Sequence, residues 1–184
     1  QQGIYFHSQL DKQTYLTQIT SRLRGSLNVE QMFAAWQLVT QRHEMLRSGF
    51  AIEQYALYRF VIEPPAPMAQ HYFDWRHLNE SQRLQQWSQL RQRDQQCAFV
   101  LDQPALHRLT IVHWDDAQFE LLWSHHHIVL DGWSIQLVFR ELMQIYVALT
   151  QNQTIQLAKP IALQGYYGCR SHRDKIAALS YWRD

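Results

Sequence analysis

The sequence predicts an α/β protein, a mixed β-sheet with helices packed on it. Two patterns carry that expectation. Stretches with period-two alternation interleave along the chain with stretches whose apolar residues recur every three or four positions. Hydrophobic residues make up 46% of the 184 and charged ones 18%, enough for a sizeable core in one domain or one lobe of a larger one. No internal repeat or low-complexity tract interrupts the pattern.

In chain order, QQGIYFHSQL reads as a helix already under way. TYLTQITSRLRG (residues 14–25) reads as a strand ending at a glycine turn. In LNVEQMFAAWQLVTQRHEML, Val29, Met32, Phe33, Trp36, Val39 and His43 fall on one helical face, and Asn28 is placed to cap it. LRSGFAIE and YALYRFVIE read as two strands. Prolines at 64, 65 and 67 break the chain before HYFDW, a short strand. Residues 79–99 read as a polar helix with Leu84, Trp87 and Leu90 turned inward. ALHRLTIVHW and FELLWSHHHI form a hairpin around DDAQ. SIQLVFRELMQIYVALT is the strongest helix, with Ile135, Val138, Phe139, Leu142, Tyr146 and Leu149 on one stripe. Residues 162–184 close with helical spacing.

Several function classes are disfavoured. Net charge is +1 with basic residues scattered among acidic ones, so no stripe suits nucleic acid. Cys97 and Cys169 form no CxxC pair, which argues against a disulfide framework or a cysteine-based zinc site. A reducing, cytoplasmic setting is expected. No apolar run has the length to cross a bilayer, and no signal peptide is read. Residue 1 is Gln and the last residues stop inside an amphipathic run without a C-cap glycine, so the chain is expected to be cut from something longer at both ends.

HHHIVLDGWS, from His125 to Ser134, concentrates the chemistry. Strand alternation places Leu121, Trp123, His125 and His127 on one face and Leu122, Ser124 and His126 on the other. Asp131-Gly132 then turns the chain into the helix opened by Ser134. The histidines thus sit at the carboxyl end of a strand, where mixed α/β sheets tend to bind ligands. Three readings stand side by side. The histidines hydrogen-bond to backbone and are structural. Or His125 and His127 chelate zinc, with His107 or His113 as a third ligand. Or one histidine does acid–base or positioning work, Asp131 holds the turn, and Gly132 lets a substrate approach the backbone.

His126 to Gly132 spells HHxxxDG, extended by Trp133-Ser134. This resembles the signature of condensation domains of nonribosomal peptide synthetases, in the chloramphenicol-acetyltransferase-like superfamily. QQGIYFHSQL resembles the opening helix of these domains, and QRHEMLRSGF resembles their RHExLRTxF stretch with Ser48 in the Thr position. FDWRHL and CAFVLDQPALHRLTIV resemble the segments before the histidine motif, and LSYWRD resembles one near the end of the first lobe. His125 departs from the common pattern, in which an apolar residue precedes the two histidines. The resemblance covers essentially the whole chain, 1–184, as the N-terminal lobe alone; the C-terminal lobe that completes the active-site tunnel is absent from it.

The resemblance implies amide formation between a donor peptidyl or acyl thioester and an acceptor aminoacyl thioester. Each substrate rides on the phosphopantetheine arm of a carrier protein, upstream or downstream, and no cofactor or metal is bound directly. The C-terminal lobe and an adenylation domain of the same synthetase are the other implied partners. His127 matches the second motif histidine and is expected to orient the attacking amine or take its proton. His126 matches the first and is expected to support the turn, and Gly132 to offer a backbone N–H to the developing oxyanion. Asp131 is expected in a structural ion pair with Arg47, or failing that Arg42; Trp133 is expected to pack and Ser134 to cap the next helix. An epimerisation domain, another acyltransferase of the superfamily and a degenerate carrier-docking domain are the alternatives. The motif is not the DxxxxD of heterocyclisation domains. One lobe alone is expected to fold but to be inactive.

Overall fold

A computed structural model describes residues 1–63 and 69–160. The helix expected over 162–184, Cys169 and the prolines at 64, 65 and 67 lie outside the described residues. In chain order the elements are α1 (Gln2–Leu10), β1 (Leu16–Arg24), α2 (Val29–Arg42), a single 3₁₀ turn (Glu44–Arg47), β2 (Ser48–Glu53), β3 (Ala56–Val61), β4 (Ala69–Asp74), α3 (Glu80–Gln96), β5 (His107–Asp115), β6 (Gln118–His126) and α4 (Gly132–Thr150). Four strands form one sheet in the order β1-β6-β5-β4, while β2 and β3 pair as a separate hairpin. Among the described residues only β4 and β5 run parallel; β1 and β5 lie antiparallel to β6 on either side of it. The sheet is therefore mixed, as expected.

Alternation along the central strand sorts the helices. Phe119, Leu121 and Trp123 of β6 join the main core with Met32, Trp36 and Val39 of α2 and Val138, Leu142 and Ile145 of α4. Trp36 and Trp123 meet edge to face, 4.8 Å between ring centroids at 75°, an arrangement the ring quadrupoles favour. On the opposite face, Val112 and Trp114 of β5 pack with Trp75, Trp87 and Leu90. That second cluster corrects one expectation: Leu84 is not inward but 55% exposed. The inward stripe of α3 runs Arg83, Trp87, Leu90, Asp94, and Leu84 sits one residue, or about 100°, off it.

Asp94 ends that stripe as a polar hub. Its carboxylate accepts from Arg108 Nε at 2.5 Å and Gln18 Nε2 at 2.6 Å, and from the Ser124 hydroxyl. It ties α3 to β5, β1 and β6 at once. Burial pushes its pKa up, but those hydrogen bonds and the Arg108 charge outweigh burial and hold it below the ordinary carboxylate value.

Helix starts follow local chemistry. The Asn28 side chain accepts the Gln31 N–H, as expected of a cap. Asn79 and Gln82 form a reciprocal capping box at α3. At the far end of β1, Gly25 turns with φ of 103°, a conformation that favours glycine.

Candidate active site

The histidine run sits where β6 ends and the chain turns into α4. Hydrogen bonds from both flanks define that end. The His126 N–H donates to Leu106 O at 2.9 Å, and the His127 N–H donates to Tyr15 O at 2.8 Å. Pairing with β1 places Leu16 opposite His126, so Tyr15 lies beside the first residue of the turn. The Val129 N–H then donates back to His126 O at 3.1 Å and closes the turn.

The three rings have three different surroundings. His125 is 1% exposed, lies against the Trp123 ring at 4.9 Å, and leaves its Nδ1 buried without a hydrogen-bond partner among the described residues. His126, also 1% exposed, accepts the Ile128 N–H at Nδ1. Its proton is therefore on Nε2, which faces the Ser8 hydroxyl at 3.1 Å, and that hydroxyl donates to Ile4 O. His126 thus staples the turn with one nitrogen and α1 with the other. Burial first, then the neighbouring histidine charges, push both pKa values down to about 4. Both rings are neutral near pH 7.

His127 is different. The strand stops at His126, so His127 leaves the alternation and reaches solvent. This corrects the expectation that His125 and His127 share a face, and it removes the geometry of the zinc reading. Neither candidate third ligand is placed to complete a set with them; His113, whose Nε2 is buried without a hydrogen-bond partner among the described residues, sits opposite Phe119 at the far end of β6. His107 donates from Nε2 to Leu46 O and accepts the Trp36 indole N–H at Nδ1, while burial lowers its pKa to about 4. His113 Nδ1 faces the Tyr72 hydroxyl and its ring stacks on Phe119. Among the described residues no group of three or more His, Cys, Asp or Glu is placed to hold a metal ion.

The second half of the motif also differs from expectation. Asp131, not Ser134, caps α4: its Oδ1 accepts the Ser134 N–H at 2.8 Å. That backbone N–H, chiefly, holds the Asp131 carboxyl below its usual pKa, with a smaller contribution from His127. Asp131 is exposed and, among the described residues, makes no ion pair with Arg47 or Arg42. Arg47 turns instead toward the end of β3, donating to Ile62 O at 2.9 Å and Glu63 at 3.1 Å. Arg42 pairs with Glu141 of α4, which also meets His43. Trp133 does not pack; it is 86% exposed. On a helical wheel it lies opposite the buried Val138–Leu142 stripe, with Leu137 and Val147 on the same outer face. Gly132 opens α4, and a Cβ built there meets nothing within 4 Å, so the space where a side chain would stand is open.

Three residues at the site, Ser8, Tyr15 and His7, carry no local signal in the sequence. The Tyr15 ring lies 6.1 Å from that of His126 and 6.5 Å from that of His127, and its hydroxyl meets His7 Nδ1 at 3.1 Å. Only the pairing of β1 with β6, which joins segments a hundred residues apart, brings them here.

Comparison with known proteins places this geometry. The chain is 30% identical to a linear gramicidin synthase of Brevibacillus parabrevis across its whole length, which is 2% of that protein. It is 28% identical to tyrocidine synthase 2 of the same organism, covering 5% of it. Its fold matches the first condensation domain of the calcium-dependent antibiotic synthetase with a TM-score of 0.76 at 24% identity, over 85% of this chain and 38% of that one. A mutant starter condensation domain of rhizomide synthetase matches with a TM-score of 0.85 at 19% identity, over 98% of this chain and 45% of that one. The chain spans a few per cent of these curated relatives and less than half of each solved domain. The fold is the chloramphenicol-acetyltransferase-like one, and no helix among the described residues is long and apolar enough to cross a membrane. The family model for the condensation domain matches residues 1–183, and the chain belongs to the condensation-domain family of the nonribosomal peptide synthetases.

Proposed function

We propose that this chain supplies the histidine-bearing lobe of a domain that joins a donor acyl or peptidyl thioester to an acceptor aminoacyl thioester. Both substrates arrive on phosphopantetheine arms of carrier proteins, at a cytoplasmic synthetase that also holds an adenylation domain. The acceptor amine attacks the donor carbonyl, a C–N bond forms, the C–S bond breaks, and the proton lost by the amine ends on the released thiol. A thioester is already activated, so the protein's main task is to hold amine and carbonyl at near-attack distance. His127 engages the amine, and the Gly132 N–H at the start of α4 faces the oxyanion. His125, His126 and Asp131 shape the turn that presents them.

One observation carries this reading. Of the three consecutive histidines, only His127 reaches solvent, at a sheet end beside a helix N-terminus, while the other two are buried and neutral. The test is His127→Ala in the complete two-lobed domain, incubated with loaded donor and acceptor carriers, with amide product followed by mass spectrometry. Amide formation is expected to fall by about 10²-fold or more with folding intact. Wild-type turnover in the folded variant removes His127 from the chemistry. In the same assay residues 1–184 alone are expected to form no product, because the wall contributed by the other lobe is missing.

A further inference from the structure

We propose that Tyr15 is a positioning residue for His127: its ring fixes the orientation of the exposed imidazole, and His7 holds that ring from behind. The inference rests on the role assigned to His127 above.

An imidazole that handles an amine must present one particular nitrogen, and such rings are usually aimed by a hydrogen bond to the other nitrogen. His126 and His107 are held that way, each through both nitrogens. His127 is not: among the described residues its ring has no hydrogen-bond partner. What it has is an edge-to-face contact with the Tyr15 ring, at 85° and 6.5 Å between centroids, a separation and tilt at which aromatic pairs attract. Tyr15 is itself constrained from three sides. Its carbonyl takes the His127 N–H, so backbone and ring grip the same residue. Its ring also touches that of His126, tilted at 55°. Its hydroxyl bonds His7 Nδ1, and the His7 ring lies parallel to its own within 4°. A half-buried tyrosine anchored at its tip and its backbone makes a stiff wall beside a ring that otherwise rotates in solvent.

The roles of the parts separate by substitution. Every side-chain change at Tyr15 keeps the carbonyl, so any effect belongs to the ring. In the complete domain with loaded carriers, Tyr15→Ala is expected to lower kcat about tenfold, as a misaimed group does, and to leave KM for the aminoacyl carrier unchanged. Tyr15→Phe keeps the aromatic ring and should retain kcat within about threefold. His7→Ala should have a small effect that vanishes in the Tyr15→Phe background, because the two act through one hydroxyl. Independently of activity, the ¹⁵N ring resonances of His127 should shift and broaden in Tyr15→Ala while those of His107 stay in place. If Tyr15→Ala does not fold, Tyr15→Leu replaces it with the same expectations.

Unchanged kcat and unchanged His127 resonances in Tyr15→Ala overturn the proposal, provided His127→Ala is inactive. An active His127→Ala instead overturns the proposed function, and the resonances alone then decide whether Tyr15 aims the ring.

Discussion

Replacing Asp131 by alanine separates a helix cap from a buried ion pair. Oδ1 accepts one N–H at 2.8 Å in the first turn of a 19-residue helix, and the carboxylate is exposed. Losing an N-cap acceptor costs about 0.5–2 kcal/mol. The negative charge at the helix N-terminus contributes about 0.3–1 kcal/mol. Both belong to one exposed carboxylate and overlap, so Asp131→Ala should cost about 1–2 kcal/mol. Stranding a buried partner would cost about 3–5 kcal/mol. Urea unfolding of the complete domain, with Arg47→Ala and the double variant, reads the difference. Additivity within about 0.5 kcal/mol is expected, since the Arg47 guanidinium is engaged by Ile62 and Glu63. Asp131→Asn keeps an acceptor and should lose only the charge contribution. The folded carboxyl has the lower pKa, so its stabilisation is present above the unfolded value of about 3.9 and is lost as pH falls through the folded value. The cost of Asp131→Ala should therefore be constant from pH 8 to about 5 and shrink only in stronger acid. A loss above about 3 kcal/mol with coupling to Arg47 above about 1 kcal/mol would refute the cap.

The interior sets two further outcomes. His107, His125 and His126 have folded pKa values near 4, below the unfolded value of about 6.5. Between those limits the unfolded chain binds more protons, so stability should fall with decreasing pH by at least about 1.4 kcal/mol per unit. Urea midpoints between pH 7.5 and 4.5 check this, and a flat profile contradicts the burial of the cluster. Asp94→Ala should destabilise by about 3–5 kcal/mol, because it strands Arg108 at the sheet and removes acceptors for Ser124 and Gln18. A loss under about 1 kcal/mol in urea unfolding would show that water replaces the carboxylate there.

Local signals made most elements legible. Periodicity, the Asn28 cap and the turn signals around DDAQ located α2, α4 and the β5–β6 hairpin, each decided within a few residues of chain. What failed was non-local. Leu84 is apolar but sits off a stripe whose inner positions include Arg83 and Asp94, because carbonyls in the turn after β4 take Arg83 and side chains of the sheet take Asp94. Ser134 has the chemistry of a cap, but the helix begins at Gly132, which hands the capping position to Asp131. The Asp131–Arg47 pair came from resemblance, and the side chains here are committed elsewhere. Tyr15 and Ser8 were invisible because nothing in the sequence announces that β1 lies beside β6.

The composition of the motif follows from this division of labour. A turn that must expose one imidazole at a fixed place needs its backbone groups satisfied on the buried side. His126 does this with both ring nitrogens, serving the Ile128 N–H and the Ser8 hydroxyl. Alanine or valine there would leave the Ile128 N–H without a partner, at about 1–3 kcal/mol, while the Ser8 hydroxyl would still donate to Ile4 O. Asp131 does the equivalent on the helix side, and Gly132 keeps the space in front of the helix open. Among the described residues His125 makes no hydrogen bond at Nδ1, and it lies against the Trp123 ring, in the role of an apolar residue. An uncharged ring tolerates that site, and burial keeps it uncharged. Three adjacent histidines therefore hold three different jobs: filler, staple and presented group. On the proposed function only the last touches a substrate, and the other two rings are accounted for by the turn that holds it.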